Sequence, residues 1–468
     1  MSKRRQITRR GFLGAGLCAG AWAAGCRRRV RIPGAPRAVF LFTIDTLRAD
    51  HLAPYGYPHD IAPFLAELAR KSVLFDRCYA ATSITLPSHA TLFTGLHLPQ
   101  HGVTSNRNRS LDVDVPSLAQ VYREQGYHTA GFVSVPFLDV LEGGHDTFEN
   151  HLRRPDAPYL NAAQIVDKGL RWLQGRSETD HVFLWLHLFD PHIPYLPPET
   201  LLEETRTRVE AKRDFWLDYW TGIQKKRPEA APWNGDLDAF VNTQVLYDAE
   251  VAFVDRELRR FAKSEAVRRY GNSALWVVTA DHGEAFGEHG FTGHEKHIYQ
   301  EELHVPLVLH WPMRESARRI AWPVSHIDLY PTLLEPLGIR HEPGPAHARC
   351  LLPVFERDSQ VREGRLIFAQ RRSRYEGDES RAWGPDPVYA VLAGEWKHIT
   401  RGNGDNDLFD LAKDARELDD LVGEQTGVAA ELSEQGADLF ERLGGQKPLT
   451  PGDVTDEHDE SLEAVGYV

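Results

Sequence analysis

Cysteine is scarce in this chain: 468 residues hold four, Cys18, Cys26, Cys78 and Cys350. Thiols so few and so widely spaced exclude the dense disulfide framework of a small secreted domain. The fold must rest on burial instead, and 42% hydrophobic residues over this length suffice for a large core. Beyond the N-terminus no apolar run is long enough to cross a bilayer as a helix. Positive charge is also in short supply. The formal charge is −13, and Lys3, Arg4, Arg5, Arg9 and Arg10 sit at the start with no acid before residue 26, so the body is more acidic still. That argues against nucleic acid as a partner, while leaving room for a locally basic pocket that takes an anionic substrate. No internal repeat is present.

The N-terminus reads as an address. Thr8-Arg9-Arg10-Gly11-Phe12-Leu13 has the pattern of a twin-arginine export signal, followed by a small-residue apolar run to Gly25. Ala23-Ala24-Gly25-Cys26 resembles a lipobox, with Ala23 where leucine is usual, which makes Cys26 a candidate lipid anchor. The plain alternative is a merely basic terminus. Export by the twin-arginine machinery places the mature chain in the periplasm or at the cell surface, and Cys18 leaves with the signal. Cys78 and Cys350 remain, and sequence does not decide whether they pair.

The body follows an α/β rhythm. Residues 1–26 are the signal, 27–37 a short basic linker, 38–345 a large domain and 346–468 a smaller one. Continuous apolar runs at Ala38–Ile44, His181–Leu188 and Ala274–Thr279 read as strands buried on both faces, joined by His128–Val133 and Val305–His310. Helical spacing predicts helices over Pro63–Ser72, Pro116–Gln125, Ala162–Leu173 and Leu246–Phe261. Strands alternating with helices imply a doubly wound, mostly parallel sheet. Three of the strands run out at Asp45, at Asp190/His192 and at Asp281/His282, and ligands in such sheets bind at the carboxyl ends. Each residue alone is ordinary turn chemistry. Glu199–Asp236 breaks the rhythm with charge and with Trp216, Trp220 and Trp233; it reads either as a solvated helical excursion or as a lid or substrate wall. After about Arg340 come shorter strands, Arg365–Gln370, Val388–Ala393 and Glu395–Thr400, then a helix at Val428–Leu443, which predict a small antiparallel α+β subdomain.

The stretch Thr82–Gly95, TSITLPSHATLFTG, is a polar turn entering a helix, with Pro87 in the first turn and Gly95 as the stop. Thr85 and Ser88 sit where free N–H groups and the helix dipole favour an anion, and a hydroxyl there beside a metal is a candidate nucleophile. The bland reading is an ordinary capped helix.

Taken in order, these stretches resemble the sulfatase family within the alkaline phosphatase superfamily. The matching runs are FTIDTLRADHLAPYGY at Phe42–Tyr57, TLPSHATLFTG at Thr85–Gly95, FDPHIPY at Phe189–Tyr195, TADHGEAFGEHG at Thr279–Gly290, HEKHIYQEELHVPLVL at His294–Leu309 and LFDLAKDAREL at Leu408–Leu418. The resemblance implies an alkaline-phosphatase-like catalytic domain with a small C-terminal domain. It places Asp45, Asp281 and His282 on metal-ligand positions and Thr85 on the nucleophile, itself a metal ligand. Such a set suits one divalent ion, Zn²⁺, Mn²⁺ or Ca²⁺. His192 falls on the substrate-binding histidine, Lys296 on the anion-binding lysine, and His89 on the motif's usual arginine. Arg48 reads as a salt-bridge residue or a site residue.

Three departures qualify the resemblance. Thr46 stands where a second aspartate is frequent. Gly131-Phe132-Val133-Ser134 replaces a run that carries sulfate-binding side chains. Thr85 replaces the cysteine or serine that sulfatases convert to formylglycine. A sulfated formylglycine hydrate sheds sulfate by collapsing to the aldehyde, and a sulfated threonine has no such route. A phosphorylated threonine is cleared by water or an alcohol at phosphorus. The expectation is an exported metal-dependent hydrolase of a sulfate- or phosphate-type ester, leaning toward phosphorus. The rivals are a phosphoryl or phosphoethanolamine-type transferase with the same Thr85 intermediate, and a non-catalytic surface binding protein.

Overall fold

The computed structural model describes residues 33–107, 111, 113–150, 159–228, 236–314, 317–341, 348–356, 364–371 and 388–445. The export signal with Cys26, Trp233, the 345/346 domain limit and the tail after Gly445 lie outside the described residues.

Among the described residues the strands are β1 Ala38–Ile44, β2 Val73–Tyr79, β3 His128–Phe132, β4 Thr147–Glu149, β5 Val182–Leu188, β6 Ala274–Ala280, β7 Ala285–Phe286, β8 Thr292–Gly293, β9 His304–His310, β10 Arg318–Ile320, β11 Val324–Ser325, β12 Ile367–Gln370, β13 Val388–Ala393, β14 Trp396–Arg401 and β15 Asp407–Asp410. Nine of them form one sheet in the order β10-β2-β9-β6-β1-β5-β3-β4, with β11 also on β2. Pairing is parallel except at β9, which runs antiparallel to both β2 and β6. The expected α/β, mostly parallel sheet is therefore present, with one reversed strand inside it.

The central register positions the site. Ile44 pairs with Leu188 on one side and with Ala280 on the other. The residues that follow, Asp45 and Asp281, thus leave neighbouring strands at the same level. Strands β1, β5 and β6 are buried along their whole length because helices cover both faces of the sheet. On one face the helix Leu237–Lys263 packs Phe261 edge-on against Phe40 and Phe42, 5.4 and 5.3 Å between ring centroids. On the other face the helix Thr85–Thr94 sets Phe93 against Trp185 at 4.6 Å.

The excursion is two helices, Glu199–Glu210 and Arg213–Lys226. Trp216 and Trp220 are buried, and both pack on Phe240 of the long helix, so these two helices are docked on the domain. The long helix starts at Leu237, well before the predicted Leu246, because Asp236 caps it by accepting the N–H groups of Asp238 and Ala239. The C-terminal subdomain is the four-stranded antiparallel sheet β12-β13-β14-β15 with the helix Thr426–Arg442. Cys78 and Cys350 are both free thiols.

Candidate active site

The three strand-end residues and the helix-start residue meet at one buried point. Asp45, Asp281 and His282 offer ligand atoms that all lie within 4.8 Å of one another. His282 Nε2 stands 3.4 Å from Asp281 Oδ2 and 4.0 Å from Asp45 Oδ1. Thr85 Oγ1 is 3.2 Å from the same His282 nitrogen. All four residues are fully buried. The ring of His282 is oriented by its other nitrogen: Nδ1–H donates to the Gly283 carbonyl at 3.0 Å, which leaves the Nε2 lone pair facing the cluster. Asp281 is held by backbone N–H groups of His282 and Thr46 on Oδ1, at 2.9 and 3.2 Å. Thr46 reaches that position with φ 53, in the left-handed region.

This set fits a divalent cation. Both oxygens of Asp45 and Oδ2 of Asp281 are buried without a hydrogen-bond partner, an expensive arrangement unless a cation balances it. Burial, followed by the neighbouring carboxylates of Asp281 and Glu284, pushes the Asp45 carboxyl well above its ordinary range. Burial likewise lifts Glu284 to about 8. Two carboxylates, one imidazole and one hydroxyl converging on such a point form a ligand set for a metal.

The nucleophile helix is fixed by two hydrogen-bond chains. Thr85 is its first residue, and the preceding Ile84 provides no side-chain cap. The free N–H of Leu86 is taken by Asn106 Oδ1 at 2.9 Å. Ser88 Oγ donates to the carbonyl of Asp281 at 2.6 Å, tying helix to strand end, so Ser88 is structural. His89 Nδ1–H donates to the Thr85 carbonyl at 2.7 Å, and its Nε2 accepts from Thr43 Oγ1 at 2.9 Å. Thr43 in turn accepts from Trp185 Nε1–H at 2.9 Å. Both His89 nitrogens are thereby committed, and it reaches the nucleophile through the backbone carbonyl of Thr85 rather than its hydroxyl.

A second group, His89, His187 and Asp281, also lies within 4.8 Å. Its hydrogen bonds close it to a metal. His187 Nδ1 accepts the N–H of Ser134 at 3.3 Å, so its Nε2 carries the proton; that nitrogen lies 3.3 Å from Asp45 Oδ2 without forming a hydrogen bond to it. His187 flanks Asp45. It was legible in the sequence only as one histidine near the end of an apolar strand. Ser134, in the departing run, donates its hydroxyl to the His187 carbonyl.

His192 follows β5 as expected. Its Nδ1 bonds the Ile193 carbonyl, and its ring stacks on Phe189. It stands 4.9 Å from His294, whose ring stacks on His282 at 4.7 Å. The three imidazoles form a column leading away from the cluster. Burial first, then neighbouring histidines, holds His192 and His294 well below the ordinary imidazole range. His294 was inside a matched stretch but carried no spacing signal of its own. Lys296 is exposed on the same loop, close enough for its charge to depress His294. Arg48 stands aside as a salt-bridge residue, binding Asp50 with two nitrogens, and Glu288 and the Glu284 carbonyl with the third.

The fold is alkaline-phosphatase-like, and a buried Asp-Asp-His-Thr cluster lies at the carboxyl edge of its main sheet. The chain belongs to the sulfatase family: the family model described as Sulfatase matches residues 37–339. The model of the C-terminal region of N-sulphoglucosamine sulphohydrolase matches residues 287–442. Arylsulfatase K of Xenopus laevis is 23% identical over 423 residues, covering 80% of this chain and 76% of its own. The uncharacterized sulfatase YidJ of Escherichia coli is 25% identical over 438 residues, 83% of each chain. Phosphonate monoester hydrolase of Agrobacterium radiobacter shares the fold with a TM-score of 0.69 at 21% identity, over 87% of this chain and 96% of its own. The protein is thus an ester hydrolase of a metal-dependent family.

Proposed function

We propose that the chain hydrolyses a phosphate-type ester through a phosphothreonine intermediate on Thr85. The observation that carries this is the Thr85 hydroxyl, which has no aldehyde chemistry, set 3.2 Å from His282 inside the partnerless carboxylate cluster. Asp45, Asp281, His282 and Thr85 would hold one divalent ion, Zn²⁺, Mn²⁺ or Ca²⁺. Such an ion lowers the pKa of a bound hydroxyl and neutralises ester oxygens. Thr85 Oγ forms a bond to phosphorus as the bond to the leaving oxygen breaks, and the leaving oxygen takes up a proton. Water then attacks phosphorus, the Oγ–P bond breaks, and Thr85 regains its proton. His192, His294 and Lys296 face the anion, and His89 holds the Thr85 backbone.

The test is turnover of purified, metal-loaded enzyme on matched aryl sulfate, phosphate monoester, phosphodiester and phosphonate monoester. Phosphorus esters are expected to turn over, and Thr85→Ala to lose more than about 10³-fold. Sulfate release with no phosphorus activity overturns the reading. We propose also that residues 1–25 direct export and leave the mature chain, with Cys26 as its candidate lipidated start. Mass spectrometry of the mature protein checks this, and a full-length cytoplasmic chain as the only form contradicts it.

A further inference from the structure

His294 and Lys296 ride on a loop between His289 and Gln300, and one residue of the C-terminal subdomain holds both feet of that loop. Glu417 is fully buried beyond β15. Its Oε2 accepts the backbone N–H of Gln300 at 2.7 Å. Its carbonyl accepts Nε2–H of His289 at 3.0 Å, and also a nitrogen of Arg227 at 3.0 Å. His289 is fixed again by Nδ1–H on Glu301 Oε1 at 2.6 Å and by stacking on Tyr299 at 3.6 Å. Both its nitrogens face acceptors, an arrangement that favours the protonated ring. Burial opposes that charge, and the Glu301 carboxylate overcomes it. The remaining oxygen of Glu417 lies 2.7 Å from Lys397 Nζ, with both side chains wholly buried. Glu417 itself sits at φ 58, a region that costs a non-glycine residue energy and persists only where surrounding contacts hold it.

We propose that Glu417 is a positioning residue, a clamp through which the C-terminal subdomain sets the loop bearing His294 and Lys296 against the metal cluster. The proposal rests on the reading of that loop as the anion-facing wall. The test uses the full chain with Lys397→Met and Glu417→Leu together, so that the side-chain acceptor for Gln300 N–H is lost and no charge is left buried alone. Amide exchange across 290–299 is expected to speed up by about tenfold. The dissociation constant for inorganic phosphate, measured by calorimetry on the metal-saturated protein, is expected to rise by about tenfold. Divalent-ion affinity stays unchanged, since Asp45, Asp281 and His282 lie outside the loop. A folded variant with wild-type exchange and wild-type phosphate affinity overturns the clamp. If the double variant does not fold, His289→Phe keeps the ring stack, removes both hydrogen bonds and is judged by the same two readouts. Exchange reports on the clamp alone. Lys296→Ala reports on the anion-wall reading, which fails if phosphate affinity does not change in that variant.

Discussion

At the scale of single residues, the site is a set of histidines with different jobs, and tautomers separate them. His282 exposes a lone pair to the cluster, because its Nδ1–H is spent on the Gly283 carbonyl. His187 keeps its proton on Nε2, 3.3 Å from Asp45 Oδ2, because its Nδ1 accepts from Ser134. His89 spends both nitrogens on Thr85 and Thr43. Residue type and order in the sequence indicated which strand ends carry ligands, since Asp and His after an apolar run are visible as letters. They did not separate a ligand from its support, since that depends on which ring nitrogen the backbone occupies. The separation has a measurable consequence. His187→Phe removes the imidazole N–H beside Asp45 and leaves the ligand set intact. Its divalent-ion affinity is expected to fall by about 10–100-fold, the usual effect of losing an outer-shell partner, while thermal stability changes little. Calorimetric titration of the metal-free protein checks it, and an unchanged affinity would mean that Asp45 is oriented without His187.

At the scale of elements, the central strands were legible because burial on both faces leaves an unbroken apolar run. Strand β2, VLFDRCY, was not, because Asp76 and Arg77 interrupt it where it is only half-buried. The helix Pro63–Arg70 was legible from its apolar spacing, although its cap was not. The residue before it, Ala62, has no capping side chain. Asp255 on the long helix supplies the cap across space, accepting the N–H groups of Phe64 at 3.1 Å and Leu65 at 2.7 Å. No sequence pattern links residues so far apart. Burial lifts the Asp255 carboxyl from 3.8 to about 6, against the two N–H bonds that favour its charge. The native state therefore binds this proton more tightly than the unfolded chain between those two values. Stability from this residue is greatest below pH 4 and falls as pH rises through 6, by on the order of 3 kcal/mol. Asp255→Asn lacks that segment of the curve. The stability difference, wild type minus variant, is expected to be larger at pH 4.5 than at pH 7.5 in denaturant titrations. An equal difference at both pH values would show that Asp255 titrates normally.

At the scale of the whole molecule, the nine-stranded and four-stranded sheets are misleading if read as two independent bodies. Strand β13 alternates: Val388, Ala390 and Leu392 belong to the main core, while Tyr389 and Val391 pack with Phe440 of the C-terminal helix. One face of the small sheet is thus part of the large core, as period-2 alternation allows. Polar ties cross the same seam. Gln370 N–H donates to the Ala81 carbonyl at 2.9 Å, four residues before the nucleophile. Arg365 pairs with buried Asp328, and Glu417 grips the loop that carries His294. The change from long parallel strands to short antiparallel ones was visible in the sequence and suggested a subdomain. The shared core was invisible, because a buried strand face does not say which neighbour covers it. Removing the C-terminal subdomain would bare that apolar face and leave the loop unheld. We therefore expect calorimetric unfolding of the full described body to be a single transition, with calorimetric and van't Hoff enthalpies in agreement. Expressed alone, residues 33–345 are expected to aggregate or to show exchange throughout the sheet. Two resolved transitions, or a soluble 33–345 fragment that binds the divalent ion with full affinity, would show that the seam is an ordinary domain interface.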